Sequence, residues 1–314
     1  STFVFFFFFQ AEDGIRVLIV TGVQTCALPI LPEAMPGTHN AARFAVKLRD
    51  MRGPAPRVIT KSEIIVVVII TASVVALVQN AFYSFSTPTL DALRYADYAL
   101  NIHEHGVFGL SGRNREAIPP PGYANSPLYP LLVAFAMHFD PELHASLRCV
   151  VSGAPGESPG CSGNYHGLLL LQGVLATLAL VFLWGVARKL FSHWLPNILT
   201  VLLAIASTKL LFYANHLLTE ILVLFLFAWL MFELSSVVQR PSPMRPAIGG
   251  LIVGALTLTR PEYLYLGYAL IVAAAMYALS VRRRRACAGV LAFSLAFALT
   301  LPPWRARNHP HFKE

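Results

Sequence analysis

Long uncharged apolar stretches recur along this chain, and no other feature restricts its fold as much. A helix needs about 20 such residues to cross roughly 30 Å of hydrocarbon. In lipid, only helices and closed barrels satisfy their own backbone hydrogen bonds. Continuous apolar runs, rather than alternation every second residue, select helices. Seven candidates follow: Ile64–Phe82, Gly167–Leu190, Leu195–Tyr213, Leu217–Val238, Ala247–Leu258, Tyr263–Val281 and Ala286–Leu301. The fifth is short and glycine-rich. Composition agrees, because 13% of the residues are charged and 56% hydrophobic, whereas soluble domains carry roughly 25% charged residues. A disordered tail, a nucleic-acid module and an ordinary cytosolic enzyme are excluded. The net charge of +8 is a small surplus for 314 residues, and its placement suits a membrane surface better than nucleic acid. The expected fold is all-α, a polytopic transmembrane protein of about seven spans.

Residues 1–30, with FFFFFQAEDGIR followed by VTGVQTCALPI, resemble a translated sequencing-adapter read-through. They are set apart from the fold, as any processing or fusion scar would be. Residues 31–62 read as a basic cytoplasmic segment, 63–308 as the transmembrane region and 309–314 as a truncated end. Orientation follows from the positive-inside rule. With the amino end cytoplasmic, Arg188, Lys189, Arg240, Arg245 and the Arg282–Arg285 run all face inward. A long first outer loop, residues 83–166, then holds a short apolar stretch, Leu128–Phe139. That stretch is too short to span and reads as a juxtamembrane helix. The Gly/Pro/Ser-rich stretch Leu147–Gly163 reads as loop. Within it a Cys149–Cys161 disulfide and two unpaired thiols are both open.

Acidic groups at a membrane are costly unless something uses them. Asp91 opens a helix-like run, DALRYADYALNIHEHG, in which Ala92, Leu93, Ala96, Ala99 and Leu100 form an apolar face. Asp91, Tyr95, Tyr98 and Ile102 follow on another face, and Gly106 suits the stop. Asp91 is either a first-turn acid on the helix dipole, paired with Arg94, or a functional carboxylate. Asn125-Ser126-Pro127 breaks regular structure before the short apolar helix. Glu220, in NHLLTE, opens the fourth span as a dipole cap, a substrate contact or a metal ligand with His216 four residues earlier. Glu233, near the other end of that span, reads as structural. Arg260, in TRPE, either binds a phosphate bidentately or snorkels to water. Trp304 suits an interfacial anchor.

In order, DALRYADYALNIHEHGVFG, NSPLYPLLVA, NHLLTE, GALTLTRPE and PWRARN resemble the GT-C membrane glycosyltransferases, specifically glycosyltransferase family 39 and the RgtA/B/C/D-like group. Protein O-mannosyltransferases and lipid A aminoarabinose transferases are relatives. The resemblance covers about residues 60–308. It implies a bacterial inner-membrane enzyme with a periplasmic site, moving a sugar from a polyprenyl phosphate to a lipid, glycan or protein acceptor. Asp91 then corresponds to the general base, with Tyr95 the aromatic four residues on. Glu220 corresponds to an acid shaping the donor site or touching a divalent cation, and Arg260 to a phosphate contact. Many relatives carry Asp-Glu where this chain has Asp91-Ala92. Relatives also continue further, so the chain reads as a fragment without the acceptor-recognition portion. A transporter or lipid flippase is the rival from another class. It calls for ionisable groups near the bilayer midplane, whereas these acids lie at the outer edge. An inactive structural subunit is the third reading, and it predicts no meeting of Asp91, Glu220 and Arg260.

Overall fold

The computed structural model describes residues 63–64, 68, 71, 90–111, 118–122, 125–153, 165–191, 193–206, 213, 215–239, 242–281 and 284–308. The proposed 1–30 segment, all of 31–62, most of the span Ile64–Phe82 and residues 309–314 lie outside them. The described residues contain helices and no strands. In chain order the helices are α1 Leu90–His105, α2 Leu128–Phe139, α3 Pro141–Ser152, α4 His166–Leu190, α5 Trp194–Ile205, α6 Glu220–Gln239, α7 Met244–Thr259, α8 Tyr263–Val281, α9 Arg284–Thr300 and α10 Pro302–Asn308.

Four helical runs are long and apolar enough to cross a membrane: His166–Leu190, Glu220–Val237, Tyr263–Val281 and Arg284–Trp304. Two of the other three expected spans are present among the described residues as shorter apolar helices. The described part of the third candidate is α5, with 12 residues. The fifth is α7, whose 16 residues rise about 24 Å, short of the ~30 Å hydrocarbon layer. Prolines bound α7: Pro243 is its N-cap, and Pro261 follows its last turn. Pro261 disfavours helical geometry in the residue before it, and Arg260 is extended, with φ −146° and ψ 124°.

The region between the first and second candidate spans is more helical than expected. α2 spans the predicted juxtamembrane stretch and has 12 residues. α3 was not anticipated, and it takes up Leu147–Ser152, the start of the stretch read as loop. Asp140 explains how α3 begins. Its Oδ1 accepts from the Glu142 and Leu143 backbone N–H groups, both at 3.1 Å, an N-cap followed by Pro141 at the first helical position. Its Oδ2 accepts from Gly167 N–H at 3.1 Å. One carboxylate therefore caps α3 and holds the start of α4. Cys149 on α3 is disulfide-bonded, while Cys161, the partner considered for it, lies outside the described residues.

α1 buries Ala92, Ala96, Ala99 and Leu100 as its pattern predicts. It also buries Asp97, Tyr98 and Asn101, which the apolar pattern does not mark. Asn101 Nδ2 donates to Asp97 Oδ1 at 3.2 Å and to the Gly109 carbonyl at 2.7 Å. Ser111 donates to Asn101 Oδ1 at 2.9 Å. These bonds fold residues 107–111 back over α1. Phe108 stacks on Tyr98 at 4.2 Å, and Trp304 meets Phe108 edge-on at 5.0 Å. Trp304, expected as an interfacial anchor, thus also ties α10 to α1.

At the other end of α1, Glu104 accepts from His144 Nε2 at 2.9 Å and lies 3.8 Å from Arg148. His105 stands 4.0 Å from the same carboxylate. The His103 ring lies 5.0 Å from His144 and 6.4 Å from His138. Burial, then His144 and His138, hold His103 below its ordinary 6.5, against the opposing pull of Glu104. The folded chain therefore favours neutral His103. The stability this confers is complete above the free imidazole value and is lost as pH falls through the lower folded value. Thermal unfolding of the detergent-solubilised chain is expected to soften below about pH 6, and His103→Gln is expected to flatten that dependence.

Among the apolar helices, α7 packs chiefly on α9 and α6, and α4 on α6. Without a strong hydrophobic drive between helices in lipid, close backbone approach supplies the association. A Cβ at Gly250 would strike the Phe293 carbonyl oxygen, and one at Gly254 would strike the Thr300 side chain. The nearest obstacles at Gly250 are backbone atoms of Phe293 and Phe297, not a flexible side-chain tip. Gly250→Ala is expected to cost about 1–3 kcal/mol by overpacking, read as a lowered unfolding midpoint in detergent. Gly289→Ala, whose Cβ would meet Pro246 at 3.4 Å, is the tolerated control.

Candidate functional site

The turn that ends α7 builds the site. Because Arg260 is extended, its backbone N–H still closes on the Leu256 carbonyl at 2.8 Å, while its side chain leaves the helix. The Arg260 carbonyl accepts from Tyr263 N–H at 3.2 Å, and Pro261 from Leu264 at 3.0 Å, which starts α8. The guanidinium reaches α6 across 41 residues of sequence. Its Nε donates to Thr219 Oγ1 at 2.9 Å, and its Nη2 donates to Glu220 Oε1. Glu262 lies 3.8 Å from Nη1. Thr219 is buried. Burial opposes the charge on Arg260, but Glu220 and Glu262 outweigh it and its pKa stands above the ordinary value.

Tyr95 connects this pair to α1. Its phenol hydrogen-bonds Thr219 and lies within electrostatic reach of Arg260, Asp91 and Glu220. Burial is the largest influence on it and raises its pKa; Arg260 opposes that rise, and the two carboxylates add to it. Its ring meets Tyr129 of α2 edge-on at 5.5 Å. The Tyr129 hydroxyl in turn accepts from Gln172 Nε2 of α4 at 2.9 Å, and the same nitrogen donates to the His216 carbonyl at 2.9 Å. Burial raises the Tyr129 pKa strongly, so the phenol stays protonated.

The expected residues divide as follows. Glu220 and Arg260 are in direct contact, and Tyr95 stands beside both. Asp91 occupies the first turn of α1, as expected, with its side chain 49% exposed and 3.9 Å from Arg94. It does not contact Glu220 or Arg260, and shares with them only an electrostatic influence on Tyr95. His216 needs correction. The i, i+4 argument requires one helix, but α6 begins at Glu220 and His216 sits in the preceding irregular turn. Glu220 Oε1 is also committed to Arg260. Among the described residues no group of three or more His, Cys, Asp or Glu is placed to hold a metal ion. The described residues thus do not form a dedicated divalent-cation site, and no step below is routed through one.

Tyr129, Gln172 and Thr219 were not anticipated. Thr219 stood in the quoted NHLLTE motif and could have been found there. Gln172, a lone amide in an apolar span, carried a weaker signal, since polar residues in spans usually face the protein interior. No protein-family model, curated protein or solved structure matches this chain.

The Glu220–Arg260 pair is a fifth to a third exposed, so solvent screens part of its energy. Arg260→Ala, which strands the acid, is expected to cost about 1–3 kcal/mol, less than a fully buried pair would. A double-mutant cycle with Glu220→Gln, read by unfolding in detergent, is expected to recover part of that loss. Full additivity would mean the contact contributes nothing.

Proposed function

We propose that the chain is a membrane glycosyltransferase of the GT-C type. It moves a sugar from a polyprenyl-phosphate donor to a lipid, glycan or protein hydroxyl at the periplasmic face of a bacterial inner membrane. The observation that carries this reading is the contact of Arg260 with Glu220 and Thr219, with the Tyr95 phenol within electrostatic reach of that pair and of Asp91. These residues come from α1, α6 and the α7–α8 turn, at the ends of apolar helices. A lipid-linked donor requires such a boundary, where its tail stays in hydrocarbon and its phosphate meets a cation.

The chemistry follows from charge. As the acceptor oxygen attacks the anomeric carbon, the carbon–oxygen bond to phosphate breaks and its electron pair leaves with the lipid phosphate. Arg260 compensates that charge by exchanging Glu220 for phosphate oxygens, a planar bidentate match. Asp91 accepts the proton released by the acceptor hydroxyl, whose own pKa is far too high for it to ionise unaided. Its half-exposed side chain leaves it open to an acceptor arriving from water. A single displacement inverts the anomeric centre. Glu220, released from Arg260, shapes the sugar side of the pocket.

The test is transfer by the complete gene product in membranes, with labelled polyprenyl-phosphate sugars. Asp91→Asn is expected to lower transfer at least a hundredfold, about 2.7 kcal/mol of barrier, while membrane insertion is unchanged. Arg260→Ala is expected to weaken binding of the polyprenyl phosphate. Normal turnover by Asp91→Asn would remove Asp91 as the base.

A further inference from the structure

Around the turn leading into α6, three buried oxygens lack any hydrogen-bond donor: Gln172 Oε1, Asn215 Oδ1 and Glu220 Oε2. They make up three of the five such side-chain atoms among the described residues. All three are acceptors. Chain geometry brings them together. Gln172 Nε2 lies 2.9 Å from the His216 carbonyl, Asn215 precedes that residue, and Glu220 closes the same turn.

The Gln172 orientation is not arbitrary. Its amide is 1% exposed, and one amide end faces the His216 carbonyl, which can only accept. That end must be NH2, so the opposite end is an oxygen aimed at no donor. Buried acceptors left bare are costly, and three around one turn mark a place built for a donor-rich occupant.

We propose that Gln172, Asn215 and Glu220 form a subsite that accepts hydrogen bonds from the hydroxyl groups of the donor's sugar. This rests on the glycosyltransferase reading and adds to it the residues that recognise the transferred group. The sugar is joined directly to the phosphate. A phosphate on Arg260 therefore sets the sugar's hydroxyls within a few ångströms of Glu220, which Arg260 already touches. Hydroxyls suit the set better than a cation, because the neighbouring Arg260 guanidinium repels a second positive charge. Either amide atom of Asn215 also serves a hydroxyl, which both donates and accepts. Sites built to bond a substrate hydroxyl discriminate strongly against ligands lacking it.

The experiment compares binding of undecaprenyl phosphate with binding of undecaprenyl-phosphate mannose, glucose and galactose to the full chain in nanodiscs. The native chain is expected to bind at least one sugar-bearing lipid tenfold or more tighter than the bare phosphate. Asn215→Ala is expected to cut that preference below threefold and to leave the bare-lipid Kd unchanged. It is also expected not to lower the unfolding midpoint of the unliganded chain, because the orphan oxygen has no bond to lose. A preference that survives Asn215→Ala, with bare-lipid binding intact, would overturn the subsite and leave the enzyme reading standing. Failure of the native chain to bind any of these lipids would overturn both. A rise in midpoint with Mg2+ alone, abolished by Asn215→Ala, would make the place a cation site and overturn the proposal.

Discussion

A guanidinium at the end of an apolar helix has no stable position until an acid and a hydroxyl meet it, and that requirement organises this molecule. Arg260 leaves α7 because Pro261 ends the helix there, and it finds Glu220 and Thr219 at the start of α6. The contact commits α6 and the α7–α8 turn to one end of the bundle. Tyr95 then brings α1 to the same place through Thr219. Each link is polar, directional and partly shielded from water, so it specifies geometry in a way that apolar packing against lipid does not.

The opposite ends of the same helices repeat the arrangement with different residues. Glu233 on α6 lies 3.4 Å from Arg245 on α7 and accepts from Trp229 Nε1 at 3.3 Å. Lys189 of α4 donates to the Phe232 carbonyl at 3.1 Å and to Ser236. Glu220 and Glu233 are separated by about 20 Å of helix, and Arg245 and Arg260 by about 22 Å. The two acid–base pairs therefore match in spacing and lock α6 antiparallel to α7 in a single register. The glycines of α7 allow the remaining face to close on α9, where a side chain at Gly250 would meet backbone.

The pair at Arg260 differs from the pair at Arg245 in its surroundings. Around Glu233 the neighbouring polar groups are donors: an indole N–H and an arginine. Around Glu220 lie Arg260 as a donor, the Tyr95 phenol, and oxygen acceptors that no donor meets. A purely structural clamp has no use for those acceptors. That asymmetry is why the functional reading is attached to one end of α6 and not to the other.

Helical class and membrane character were legible in the residues themselves, because apolar runs of this length have only helical solutions in lipid. The short α2, the first-turn position of Asp91 and the buried face of α1 followed from periodicity and from Pro127. The lengths of the apolar helices did not follow, because Pro243 and Pro261 bound α7 at 16 residues. α3 was hidden because its cap, Asp140, draws on Gly167, which lies 27 residues away. NHLLTE and TRPE were each ambiguous alone, and only the tertiary structure decided that Arg260 faces Glu220 rather than snorkelling to water. It also decided that His216 leaves the α6 face, and that Gln172 and Asn215 each keep a buried oxygen without a donor. Local sequence sets which backbone forms in lipid. Which polar side chains meet depends on contacts between residues far apart in the chain, and no local pattern encodes those.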